Sequence, residues 1–257
     1  VRFHVALASF VYLFALRHHL GQVGFVDLPA DGVESLARAV DISRLRDLPL
    51  RGNSIGLHYW FGVADDYVIA PFLVGASSLE SVLRRSAGFH ALLAPLAYAM
   101  GAVLRRPVLG LLWALSLAAL PDLISLSGSY PLNYRTTHWA LLALLGCTML
   151  GSLDLPERSR RLGASILLVA AGLAVASHPF GVAALPAALL VCWRCRQWPR
   201  GRLAAVTTLL LLAVLGPYLA ANFEGLHYTL FGRGSDTRSE SQRVFEGTVT
   251  AAANLSL

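Results

Sequence analysis

The stretch from Leu162 to Trp193 limits what this chain can fold into more than any other. It runs for 32 residues with no acidic or basic side chain apart from His178. As one helix it would reach ~48 Å, against a hydrocarbon core of ~30 Å. Inside lipid every backbone N–H and C=O must be satisfied within the protein, so apolar crossings are helices or closed barrels. Arginines flank both ends, with Arg158, Arg160 and Arg161 before and Arg194, Arg196, Arg200 and Arg202 after. The positive-inside rule puts both ends on one side, so the stretch must turn back. His178-Pro179 is the natural turning point, because proline disfavours helix at the residue before it.

Further apolar runs lie at about Phe3–Arg17, Ala87–Leu104, Val108–Leu126, Trp139–Leu153 and Leu203–Ala221. With the hairpin they make seven crossings. The chain is 56% hydrophobic and only 14% charged, a balance that a water-soluble domain would not keep in solution. The expectation is an all-α integral membrane protein of about seven transmembrane helices with a long extracytoplasmic first loop containing amphipathic and interfacial helices. Its parts are a first span in 1–17, the loop in 18–86, six spans in 87–221 and an extracytoplasmic segment in 222–257, all one polytopic domain. The first run is short and neither end carries a terminating feature, giving the expectation of a fragment cut at both ends. The net charge of +6 sits in short clusters between apolar runs, which fits topology rather than a nucleic-acid stripe.

Placing those arginine clusters on one side puts the alternate loops on the other. The first of them packs Asp27, Asp31 and Glu34 into eight positions just past the first apolar run. Asp-Gly-Val-Glu can also cap a helix, with Asp31 accepting backbone N–H groups and Glu34 reaching back to the start. Val33, Leu36, Ala37 and Val40 then recur at helical spacing, predicting a short amphipathic helix. Further on, Tyr59, Trp60, Phe61 and Tyr67 give a segment suited to the headgroup level. Asp65 and Asp66 within it are neighbours whose side chains must point in different directions on any regular element. One of them can assist a site, and otherwise both read as solvated.

Arg135, His178 and Asp122 fall on the same side as the acids, and ionisable groups in or beside spans are functional candidates. Each has a plainer role: Asp122 can cap or pair locally, His178 can serve its turn, and Arg84 with Arg85 can anchor a helix end in headgroups. Cys192 and Cys195 form a Cys-x-x-Cys, but no second pair or histidine cluster accompanies it in sequence, so buried or interfacial thiols are expected rather than a zinc site.

LPADGVESLARAV, APFLVGASSLESVLRRSAGFHALL, YRTTHWALLALL and SHPFG together resemble the GT-C superfamily of membrane glycosyltransferases, in particular the protein mannosyltransferase and aminoarabinose transferase type. The resemblance extends over about Leu13 to Asn222, with loose motifs. The first stretch is similar to the family's acidic motif followed by an alanine-rich amphipathic helix, which implies Asp31 as the catalytic carboxylate. The second implies Arg84 as a recurrent arginine, the third the lead into the fourth helix, and the fourth a Thr-His-Pro-type turn at His178. The family motif often reads Asp-Glu, whereas Gly32 follows Asp31, leaving Asp27 or Glu34 for the second acidic role, or Asp27 itself as the active carboxylate.

What the resemblance implies is transfer of a sugar from a polyprenyl-phosphate donor to a glycan, lipid or protein acceptor, at the outer face of a bacterial cytoplasmic membrane. A loop carboxylate would take the proton of the attacking acceptor, while Arg84, Arg135 and His178 would meet the leaving phosphate. The three acids can hold a divalent metal through oxygen ligands or leave it out; no metal ligand set is assigned, and membrane lipid, not nucleic acid, is the expected surrounding. A multi-pass transporter and a non-catalytic membrane subunit are the alternatives; a repeat-type transporter would show broken helices in two related halves, and no internal repeat is evident.

Overall fold

A computed structural model describes residues 2–23, 30–49, 52, 63–119, 136–177 and 179–231. Among the described residues there is no strand. The helices are α1 (Arg2–Gln22), α2 (Ala30–Ser43), α3 (Ala64–Leu73), α4 (Leu79–His90), α5 (Leu93–Val103), α6 (Pro107–Ala119), α7 (Thr136–Gly151), α8 (Glu157–Ser177), α9 (Ala184–Arg194) and α10 (Arg202–Phe231), with a 3-10 turn over Pro179–Ala183 between α8 and α9.

Among the described residues, three segments are long and apolar enough to cross a membrane: Leu79–Val103, Glu157–Ser177 and Arg202–Phe223. Pro107–Ala119, His138–Gly151 and Gly181–Arg194 are apolar but shorter. The seven expected crossings are therefore matched in full length by three. α1 has 21 residues, yet Arg2, Arg17, His4, His18 and His19 dilute its apolar character. The expected third crossing, about Val108–Leu126, continues past Ala119 into positions outside the described residues. The 32-residue stretch is split as its proline demands, leaving α9 only 11 residues.

Helix boundaries also differ from the loop expected over 18–86. α1 continues to Gln22, and α4 begins at Leu79, eight residues before the expected Ala87. The early start has a local cause. Ser78 caps the helix, its Oγ accepting from the Ser81 N–H while the Ser81 Oγ accepts from the Ser78 N–H, so two orphan donors are satisfied.

Close helix pairs meet through glycine. A β-carbon on Gly146 of α7 would stand 2.7 Å from the Leu167 nitrogen of α8, and one on Gly163 would stand 2.8 Å from the Gly146 carbonyl oxygen. Without side chains at these positions the two backbones touch, the device that replaces hydrophobic drive between helices in lipid. Gly101 and Gly110 do the same for the α5–α6 hairpin, and Gly181 lets the 3-10 turn press on the last turns of α8.

Three apolar clusters result. Val11 and Ala15 of α1 pack with Ala94, Ala97 and Tyr98 of α5 and Ala114 of α6. Leu150, Ala164, Leu167, Ala188 and Cys192 unite α7, α8 and α9. The third sets Leu36 and Ala39 of α2 with Ile69 and Leu73 of α3 against Phe89, Trp139 and Leu173, so the expected amphipathic helix exists and its apolar face is spent on the bundle. α10 contrasts with all of these. Only 6% of its most apolar window is buried, against 61% for the other two full-length segments, and Gly172 of α8 provides the notch for its Leu211 and Leu215. Leucines left bare on such a helix would not stay in water; lipid is the medium that suits them.

Gly146→Leu should lower the unfolding midpoint in detergent by an amount equivalent to about 1–3 kcal/mol, because a backbone stands where its side chain would go. Gly216→Ala, which meets nothing within 4 Å, should leave the midpoint unchanged or slightly raised. Equal midpoints for the two variants would overturn the glycine-contact account of α7 and α8.

Candidate functional site

Asp65 and Asp66, read as solvated from the sequence, are both fully buried, at 0% exposure. That expectation is corrected by what surrounds them. They occupy the first turn of α3, where negative charge is favoured by the helix dipole, and this turn is wedged between α2 and the ends of α7 and α8. As expected for neighbours on a helix, the two side chains point apart.

Asp66 faces α2. Its Oδ1 accepts from the Ser35 hydroxyl at 2.5 Å, and its Oδ2 accepts from Arg38 Nε at 3.0 Å. Arg38 also donates through Nη1 to Glu34 Oε1 at 2.9 Å. One guanidinium thus joins two carboxylates, and with its side chain only 14% exposed the pairing is desolvated and strong. Ser35 and Arg38 lie one turn apart, so the side of α2 that carries them is committed to α3.

Asp65 faces the bundle. Its Oδ1 accepts from the Trp139 indole N–H at 2.8 Å and lies 2.7 Å from the Ser177 hydroxyl. The same hydroxyl is 2.6 Å from the Leu173 carbonyl, and its single proton serves one of these acceptors at a time. Trp139 is in the first turn of α7 and Ser177 is the last residue of α8. Positions 65, 139 and 177 are therefore drawn from three distant parts of the chain to one point.

Beside that point stand three buried histidines, His19 of α1, His90 of α4 and His138 of α7. Ring centroids are 6.3 Å apart for His19 and His90 and 5.4 Å for His90 and His138. His138 stacks on Phe89 at 4.5 Å, and Phe89 in turn neighbours Trp139. No set of three or more histidine, cysteine or acidic side chains suited to a metal ion occurs among the described residues. The arrangement sets two carboxylates, held by neutral and cationic donors, and three imidazoles at one end of an apolar bundle.

No protein family, curated protein or solved structure matches the chain. The site therefore has to be judged on its own geometry.

Of the residues singled out from sequence, Glu34 is here, paired with Arg38 one turn ahead. Asp31 falls inside α2, one residue after its start at Ala30, rather than before the helix as a cap; its side chain is outside the described set, as are Asp27, Arg135, His178 and Asp122 altogether. Arg84 is not brought to the cluster. It is 56% exposed and donates through Nε to Glu80 at 2.8 Å, an i,i+4 surface pair. Arg85 donates to the Val74 carbonyl, and Arg44 to the Ala76 carbonyl at 2.9 Å, so both hold the α3–α4 connection.

The parts that sequence reasoning missed are Trp139, Ser177 and the three histidines. Nothing in their spacing joins them. The available signal was the position of Asp65 and Asp66 at the head of an apolar helix, where two carboxylates must find donors or water. Tyr67, next in line, donates its hydroxyl to the Pro49 carbonyl at 3.1 Å. Burial first, then the Asp47 and Asp66 carboxylates, push its phenol above the usual value, which keeps it a donor.

Asp66→Asn should destabilise the protein by about 3 kcal/mol, since removing one partner leaves the other charge buried. The double variant Arg38→Gln/Asp66→Asn should recover part of that loss. Thermal unfolding of the four proteins in detergent closes the cycle, and strictly additive losses would show that the pair does not join α2 to α3.

Proposed function

We propose that this chain is the membrane part of a glycosyltransferase that moves a sugar from a polyprenyl-phosphate donor to a glycan, lipid or protein acceptor at the outer face of the membrane. The observation that carries the reading is the burial of Asp65 and Asp66 between α2 and the ends of α7 and α8. Those contacts fasten the helix bearing Asp31 and Glu34 over one end of an apolar bundle, the arrangement that a lipid-borne donor requires. Its tail stays in the hydrocarbon while its anomeric carbon meets polar groups at the boundary.

On this reading seven crossings and an outward first loop complete the topology, in a bacterial cytoplasmic membrane. Asp31 is the general base, with Asp27 the alternative carboxylate. It takes the proton of the acceptor hydroxyl or amine as that atom attacks the anomeric carbon, and the glycosidic bond to phosphate breaks with its electron pair leaving on the phosphate. Glu34 has a supporting role, because its carboxylate is already engaged by Arg38.

Arg135 and His178 remain the proposed phosphate partners. In sequence Arg135 directly precedes α7, and His178 directly follows Ser177, so each adjoins an element that reaches Asp65. Arg84 drops behind them as a phosphate ligand, since it is spent on Glu80 at the surface.

The test is transfer of labelled sugar from a polyprenyl-phosphate donor by the full chain in membranes, wild type against Asp31→Asn at matched abundance. Turnover should fall 10²–10⁴-fold while donor binding persists. Wild-type turnover with full activity in Asp31→Asn would move the role to Asp27, and absence of transfer from every donor tried would overturn the enzyme reading.

A further inference from the structure

The corner between α9 and α10 combines two features that the sugar-transfer reading does not use. Arg194, Arg196, Arg200 and Arg202 fall within nine residues, and all four are exposed. No ion pair among the described residues involves any of them. From Ala184 to Phe223 the sequence holds no acidic residue at all. Among the described residues, two acids at this end of the fold are already matched, Asp154 with Arg105 at 3.5 Å and Glu157 with Arg161 at 2.6 Å. They are at the same end of the molecule, because Leu150, Ala164 and Cys192 pack in one cluster. The corner is thus a site of excess positive charge.

Its shape is set by the backbone. α9 closes with the Gln197 N–H on the Cys192 carbonyl at 3.1 Å and the Arg196 N–H on the Trp193 carbonyl at 3.0 Å. Arg196 itself is left-handed at φ 52, the arrangement of a Schellman cap usually given to glycine. That ending holds an arginine at the tip of the turn although a β-carbon is disfavoured there.

Directly beyond the arginines the surface is apolar. Leu189, Leu190 and Trp193 of α9 are exposed, as are Val206, Leu209 and Leu212 of α10, and Trp198 stands between the two helices. Tryptophan at such a border is the residue of the headgroup level. A ligand that satisfies both surfaces has a negative phosphate at one end and hydrocarbon at the other.

We propose that the α9–α10 corner binds an anionic glycerophospholipid, its phosphate on the four arginines and its acyl chains along the bare faces of α9 and α10. Guanidinium groups match phosphate oxygens two at a time, and cationic clusters beside a span draw acidic headgroups. The inference rests on the apolar segments lying in a bilayer and is independent of the sugar-transfer reading.

The test is native mass spectrometry of the full chain released from mild detergent after incubation with equal amounts of phosphatidylglycerol and phosphatidylcholine. Wild type should retain the anionic lipid about tenfold over the zwitterionic one. Arg194→Gln/Arg196→Gln/Arg200→Gln/Arg202→Gln should bring the ratio near one, and Arg105→Gln/Arg106→Gln, at the neighbouring corner, should keep it. Raising salt should weaken the wild-type preference, a check that needs no variant to fold. Equal retention of the two lipids by wild type, or loss of the preference in the Arg105/Arg106 variant alone, would overturn the proposal. So would displacement of the lipid by inorganic phosphate well beyond that caused by sodium chloride at the same ionic strength, which would make the corner a site for the free anion.

Discussion

Two neighbouring carboxylates facing opposite ways hold the outer layer of this protein to its bundle. Asp66 takes the serine and arginine of α2, and Asp65 takes the indole of α7 and the hydroxyl of α8. A single first turn of α3 therefore works as a rivet through three layers. An aspartate pair does this better than apolar residues could, because directional hydrogen bonds fix the angle between layers whereas leucines would fix only their distance. The cost is that both carboxyl groups are out of water, and it is tolerable only while the donors stay in place.

Beneath that rivet the bundle depends on the absence of side chains. Gly146 against Gly163, and Gly101 against Gly110, bring backbones into contact where lipid offers no hydrophobic reason for helices to associate. Close backbone contact makes the α7–α8 pair and the α5–α6 hairpin stiff units. The rivet lands on the first of these, at Trp139 and Ser177, so the polar cluster inherits the rigidity of a packed pair rather than the mobility of a connection.

Legibility from sequence followed the range of the interaction involved. The hairpin at Pro179 could be read because a proline, a length and two arginine clusters all act locally. The amphipathic α2 could be read because Val33, Leu36 and Val40 repeat at helical spacing. Burial of Asp65 could not, since its donors are Trp139 and Ser177, 74 and 112 positions away, and a carboxylate looks the same in a sequence whether water or an indole solvates it. The buried histidines escaped for the same reason.

The near-bare α10 has a mechanical consequence. A helix that packs along one side, mainly on α8, and leaves most of its apolar window bare takes its angle from the bilayer as well as from the protein. Its span of 22 residues, Arg202–Phe223, reaches ~33 Å at the helical rise, slightly more than a typical hydrocarbon core, and such an excess is absorbed by tilting. Membrane thickness therefore acts on α10 as a lever, while the glycine-locked pair of α7 and α8 keeps its geometry.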